Sequence, residues 1–293
     1  DLESGVLYKT FSEHKTALTL VNIRTDGKWM ATADQSGTVC LWDLTQWTLI
    51  NSYVTDAGFP GALEFAGMQP WLALAATKTF RLIGGHTDKV HSLEISPDGR
   101  QLLSGSWDNT AALRDVETGT LLATYTGHTN SVFDAQFSPD GKTVATAAND
   151  NTIRIWDRQT GRALSVFNGH DDWVRKIRFT TDGKKLISTS FDNTAGIWTY
   201  PEGKLLYRLE GHTDDLYFLS LNEKTGRIVV GSYDNDISSW DMRTGKMDFR
   251  FGIHNEKITS VAQSNSGRYT AITYRDGRIK VIDLLTGKLT LNI

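Results

Sequence analysis

Five histidines, His86, His128, His170, His212 and His254, recur at a fixed spacing of 42 residues. Four of them follow a glycine directly, and His254 follows Gly252-Ile253. A period of this length means copies of one supersecondary unit, each unable to bury its own faces and so forced to stack on its neighbours. The best-formed copy runs from Gly127 to Asp157. Its first apolar run is Val132-Phe133, Ala135 and Phe137. Its second, Val144-Ala145-Thr146-Ala147, is small enough for a strand buried on both faces. Ile153, Ile155 and Trp156 make the third. Pro139-Asp140-Gly141 and Asn149-Asp150-Asn151 separate these runs and supply the fixed φ and left-handed tolerance of tight turns. A further turn, Asp157-Arg158-Gln159-Thr160-Gly161, leads to a fourth strand, as do Asp115 to Gly119, Asp241 to Gly245 and Asp283 to Gly287. Four strands in about 42 residues is the period of a sheet repeat, and no helical stripe of apolar residues interrupts it.

The first unit begins at His14. Met30-Ala31-Thr32-Ala33 is its small strand and Leu41-Trp42-Asp43 its counterpart of Ile155-Trp156-Asp157. The second unit starts near Asp56 and is about 12 residues short. Leu72-Ala73-Leu74-Ala75 is its small strand. Thr79 to Ile83 is read as its third strand with the fourth absent, because losing an edge strand sacrifices one ladder instead of two. The reverse assignment and a gap in the chain are the other readings. Seven unit starts result, in a single domain spanning residues 1–293. Residues 1–11 add an outer strand, Gly5 to Phe11, from an upstream or closing unit. Lys288 to Ile293 already completes the last unit, so the two strands compete to close the array.

Composition limits the function. A net charge of −3 argues against a general nucleic-acid binder. Cys40 is the one cysteine. It rules out an intrachain disulfide framework and fits a reducing compartment such as the cytoplasm, as well as the periplasm. No apolar run reaches the roughly 18 residues of a membrane span. The chain has no initiating Met, and Asp1-Leu2-Glu3-Ser4-Gly5 reads as the end of a repeat. A start part-way through a longer parent, or after processing, is therefore expected.

Gly-His, Ser-Pro-Asp-Gly, Asp-Asn-Thr and Trp-Asp recur at fixed offsets along essentially the whole chain, which resembles the WD-repeat β-propellers. The resemblance implies an all-β, seven-bladed propeller of four-stranded antiparallel blades around a central channel, the second blade lacking one strand. It also implies a buried chain of polar side chains in each blade. His128, Thr146, Asp150 and Trp156 match it fully, as do His170, Ser188, Asp192 and Trp198. Other units depart. Arg114 replaces the Trp, Val230 and Ile272 take hydroxyl positions, Ile282 takes a Trp position, and Ser36 and Lys78 stand where Asp belongs. The polar chain is not expected to be complete in those units.

The periodic histidines lie in different units and cannot converge on one metal ion, so they read as structural. Asp108-Asn109 and Asp192-Asn193 read as turn residues, without the ligand density of a calcium loop. Asp171-Asp172 and Asp214-Asp215 are acid pairs with no nucleophile, phosphate loop or metal box beside them. No cofactor and no metal are expected, and an enzyme is the least supported reading. The informative positions are three and five residues after the periodic His and the one before the turn Asp. By resemblance they open beside the channel, where such propellers hold peptides. They carry Lys89, His91 and Trp107, then Ser131, Phe133 and Asn149, then Trp173, Arg175 and Phe191, then Asp215, Tyr217 and Tyr233, then Lys257, Thr259 and Arg275, with Phe59 in the second unit. The aromatic and cationic members are expected to bind, because polar loops have no packing need for Trp, Phe and Tyr, and such side chains dominate interface energetics. The alternative is that they pack between blades. The expected function is a non-enzymatic scaffold for a protein or peptide partner, with a regulatory or sensor module of a larger, possibly bacterial, protein as the second reading.

Overall fold

The computed structural model describes residues 13–16, 18–23, 29–34, 36, 38–46, 48–54, 60–65, 72–76, 86–116, 118–252, 257–264, 266–275, 278–284 and 286–292. Among them are strands and turns and no helix, hence no helix long and apolar enough to cross a membrane. Six four-stranded antiparallel sheets and one two-stranded sheet follow one another, each pairing its strands in chain order. We name each four-stranded sheet by its periodic histidine, and the last by Ile258.

The His128 sheet comprises Val132–Phe137, Thr143–Ala148, Ile153–Asp157 and Ala163–Phe167. After its first residue the Thr143–Ala148 strand is buried throughout. Sheets press on it from both sides. The turns use the residues expected of them. Asn109, Asn151, Asn193 and Asn235, one in each of four successive sheets, hold positive φ between 65° and 70°. A short polar side chain tolerates that left-handed conformation better than a bulky one.

The first strands adjoin one another. Leu18–Ile23 lies beside Pro60–Phe65, and the series continues through Val90–Ile95, Val132–Phe137, Val174–Phe179, Leu216–Asn222 and Ile258–Gln263. The fourth strands lie farthest from this edge, and Leu121, Leu164 and Leu289 on them are exposed. The core sits between consecutive sheets. Ala145, Ile153, Ile155 and Phe167 of the His128 sheet meet Val174, Ile177, Leu186 and Trp198 of the His170 sheet. The same layering joins the His86 to the His128 sheet and the His170 to the His212 sheet. Fully burying one such aliphatic or aromatic side chain stabilises by about 1.5–3 kcal/mol. Polar ties reinforce the seams. Arg158 Nε donates to Gln101 Oε1 at 2.9 Å, and Lys185, the counterpart of Gln101 two sheets on, donates from Nζ to the Met242 carbonyl at 3.2 Å.

The shortened unit is a two-stranded sheet of Pro60–Phe65 and Leu72–Ala76 among the described residues. Thr79 to Ile83, residues 1–11, Lys78 and His254 lie outside them.

The polar chain is present in five sheets. His128 Nδ1 donates to Asp150 Oδ2 at 2.8 Å, and its Nε2 accepts from Thr146 Oγ1 at 2.6 Å. Thr146 in turn accepts from Trp156 Nε1 at 2.8 Å. His170, Asp192, Ser188 and Trp198 repeat the arrangement. Two units expected to be incomplete are complete. In the first, Asp34, not the residue at Ser36, holds His14 at 3.0 Å, and Ser36 donates to that carboxylate. Thr32 bridges His14 and Trp42. Asp34 ends its strand two residues after Thr32, so strand alternation puts both on the face that meets His14. In the His212 sheet the hydroxyl missing at Val230 comes from Ser238, its direct partner on the next strand. Ser238 Oγ meets both His212 Nε2 and Trp240 Nε1 at 2.7 Å. The His86 sheet keeps its His86 bonds to Asp108 and Ser104 but has Arg114 in place of the indole donor, its guanidinium bonded to the Gly119 carbonyl at 3.1 Å.

Burial alone would push the Asp150 carboxyl up, but bonds from His128 and Thr152, the His128 charge and the Thr129 amide hold it well below the usual range. Asp234, under the same balance, falls to about 2. A carboxyl lowered by folding contributes stability above its unfolded value and loses it as pH falls, so these acids resist protonation down to strongly acid conditions. The relocated hydroxyl gives a direct test. Ser238→Ala strands two buried ring nitrogens and is expected to lower unfolding free energy by about 1–3 kcal/mol in urea titrations. Adding Val230→Thr is expected to restore part of that loss by returning the hydroxyl to the second strand. Urea curves that match the parent for Ser238→Ala would contradict the assignment.

Candidate functional site

The positions five residues after the periodic histidines share a backbone property. Val132 pairs with Ala148 and Asp134 with Ala147, so Phe133 is skipped by the ladder. His91, Arg175 and Tyr217 are skipped in the same way in their sheets. A bulge adds local twist and re-aims the side chain of the extra residue. The other two positions are locked to each other by a repeated amide bond. Trp107 N donates to the Lys89 carbonyl, Asn149 to Ser131, Phe191 to Trp173, Tyr233 to Asp215 and Arg275 to Lys257, all between 2.8 and 3.0 Å. Each sheet thus brings its three positions to one end of its first two strands.

Across four sheets these residues form a continuous aromatic belt. Trp107 stacks on His91 with centroids 6.1 Å apart. His91 meets the edge of Phe133 at 5.2 Å. Phe133 stacks on Trp173 at 5.8 Å, and Trp173 on Phe191 at 5.2 Å. Phe191 contacts Tyr217 at 5.0 Å, and Tyr217 contacts Tyr233. Cations sit at both ends and in the middle. Lys89 Nζ lies 4.5 Å from the Trp107 ring and Lys257 Nζ 5.5 Å from Tyr233. The Arg175 guanidinium lies between Phe133 and Tyr217, at 4.8 and 5.2 Å. Packing and exposure coexist. Phe133 is 6% exposed and forms the floor, while Trp173 is 39% exposed. Arg275 joins through its backbone bond, with no ring contact to the belt among the described residues. The Thr259 side chain and Phe59 lie outside what the structure describes.

Beneath the belt is a polar cluster that the repeat pattern does not single out. Asp134, 2% exposed at its side chain, accepts from Ile177 N at 3.0 Å and from Arg178 Nη1 at 3.2 Å, with Lys176 Nζ 3.7 Å away. Arg175 Nη1 lies 3.1 Å from His91 Nδ1, which must accept. Burial first, then the charges of Arg175 and Lys176, push His91 down to about 3. In the His212 sheet Asp215 is raised by burial and by the nearby charges of Asp214 and Asp172. Asp171 pairs with Arg208 at 2.7 Å. Among the described residues no three His, Cys, Asp or Glu side chains gather as a metal-binding group.

The model of the WD domain, G-beta repeat, matches residues 5–43, 77–115, 119–157, 161–199, 203–241 and 245–283. The chain belongs to the WD-repeat family. The two-stranded sheet falls in the interval between the first two matched repeats. Similar WD-repeat relatives include "Periodic tryptophan protein 2" of Arabidopsis thaliana, 30% identical over 131 residues, covering 39% of this chain and 14% of that protein. "Small ribosomal subunit protein RACK1" of Schizosaccharomyces pombe is 30% identical over 129 residues, covering 37% of this chain and 41% of that one. A "Guanine nucleotide-binding protein subunit beta" of Oryza sativa subsp. indica is 32% identical over 77 residues, covering 26% and 20%. The matches span less than half the length of these relatives.

The depressed His91 has a measurable consequence. Between pH 6.5 and about 3 the unfolded chain binds a proton that folded His91 refuses. Stability is therefore full above pH 6.5 and falls with pH, by up to about 1.4 kcal/mol per unit from this group. Chemical denaturation across this range is expected to show a shallower pH slope for His91→Gln. An unchanged slope would remove His91 as its source.

Proposed function

We propose that this WD-repeat chain closes as a seven-bladed propeller and serves as a non-enzymatic scaffold, gripping an extended segment of a protein partner on the belt. The observation that carries the reading is the belt itself. Four consecutive sheets place large rings and cations at the three positions joined by the bulge and the repeated amide bond, leaving Trp173 exposed at the centre. The seven adjoining first strands support the blade count. Packing explains Phe133, but it does not explain an exposed Trp stacked on Phe191. Aromatic area with nearby cations is the composition of interface hot spots, and an extended partner would find backbone polar groups along the same edge. Two relatives carry names of assembly components, a ribosomal subunit protein and a G-protein subunit, which fits a scaffold.

Trp173→Ala tests this with little risk to folding, since the ring is partly solvated. Binding of a captured partner, read by surface plasmon resonance, is expected to weaken by about 2 kcal/mol or more, roughly thirtyfold. The thermal midpoint should move little. Phe133→Ala, by contrast, should lower the midpoint, because it empties a buried site worth about 3–5 kcal/mol. Undiminished capture by Trp173→Ala would sink the reading.

A further inference from the structure

The belt also carries information about the charge of what it holds. This step rests on the belt being the binding surface. The cation–ring contacts of the belt are all made by the protein's own side chains, Lys89 on Trp107, Arg175 on Phe133 and Tyr217, and Lys257 on Tyr233. A partner's lysine or arginine would meet like charge at Trp107, Phe133, Tyr217 and Tyr233. Among the described residues none of these three cations is paired with a carboxylate, whereas Arg178, Arg208 and Arg250 are.

Unused hydrogen-bonding capacity gathers at one corner. Arg175 has five N–H donors and, among the described residues, makes one side-chain bond, to His91. Trp107 stacks on that same His91, and its indole N–H is buried without an acceptor. Both side chains rest on Phe133. Beside them Ser131 Oγ donates to the Trp107 carbonyl, and Asn149 Oδ1 is a buried acceptor without a donor. Donors of a guanidinium and an indole suit an oxyanion. An unpaired amide oxygen nearby suits a backbone N–H.

We propose that the His91, Trp107 and Arg175 corner seats an acidic group of the partner segment, a carboxylate or phosphate whose neighbouring peptide N–H reaches Asn149.

Random short peptides displayed on phage, selected against the whole chain, provide the probe. The expected winners carry Asp or Glu beside an aromatic residue. Synthetic copies with Gln or Asn at the acid are expected to bind about tenfold more weakly or worse in fluorescence anisotropy. On Arg175→Gln that difference is expected to shrink to about twofold or less, and Arg175→Lys should recover part of it. Phosphoserine at the acid position separates the two sources: tighter binding assigns phosphate, weaker binding carboxylate, and either supports an oxyanion site. Basic or uncharged winners whose binding is still lost with Trp173→Ala would overturn this inference and leave the belt standing. Winners indifferent to Trp173→Ala would overturn the belt as well. The Glu-to-Gln comparison on the unaltered chain keeps the test decisive if Arg175→Gln unfolds.

Discussion

Among the described residues the His128, His170 and His212 sheets are apolar on both faces, and much else follows from having to cover both. Ile153, Ile155 and Phe167 find their cover in Val174, Ile177 and Trp198 of the next sheet. That next sheet presents Ile187, Ile197 and Leu209 to the one beyond. A lone four-stranded meander would leave one such layer in water, at a cost of several kcal/mol. Stacking is therefore obligatory. It buries the second strands, where two layers converge, and it brings the first strands side by side. That convergence is what places His91, Phe133, Arg175 and Tyr217 of four different sheets within reach of one another.

The same burial makes the polar chains strict about chemistry and tolerant about position. A buried imidazole needs an acceptor on one nitrogen and a hydroxyl on the other, because an unpaired group there costs about 1–3 kcal/mol. Where the usual residue is replaced, the role moves along the strand or across it. Asp34 takes the acid's part for His14, and Ser238 takes the hydroxyl's part for His212. The first move keeps strand alternation, and the second exploits direct cross-strand pairing. In the His86 sheet Arg114 stands in the indole's place, and the His86 to Asp108 bond is kept at 2.9 Å.

How much of this could be read in the sequence depends on what a repeat displays. The spacing of His128 and His170, with Trp156-Asp157 and Pro139-Asp140-Gly141, states the four-strand unit outright, since turns and buried rings have narrow residue requirements. The relocated Asp34 and Ser238 were not legible from aligned positions, because alignment records which residue stands at an offset and not which way it points. The belt was half legible. Offsets from the histidines located Trp107, Phe133, Trp173 and Tyr233, but their convergence rests on bulges, which are a property of strand register and have no residue signature here. The cluster of Asp134, Lys176 and Arg178 left no signal, because ordinary charged strand residues become distinctive only when two sheets are laid together.

The central claim is that the repeated residues hold the sheets while the belt residues, at the loop, bulge and pre-turn positions, do the binding. A deep mutational scan that scores folded abundance and partner binding separately tests this most directly. Substitutions at His128, Asp150, Ser188 and Trp198 are expected to lower abundance, with binding falling only in proportion. Substitutions at Trp173, Arg175 and Lys89 are expected to leave abundance near the parent and remove binding. Binding-specific losses concentrated on the exposed fourth strands, at Leu121 or Leu164, with the belt silent, would contradict the account.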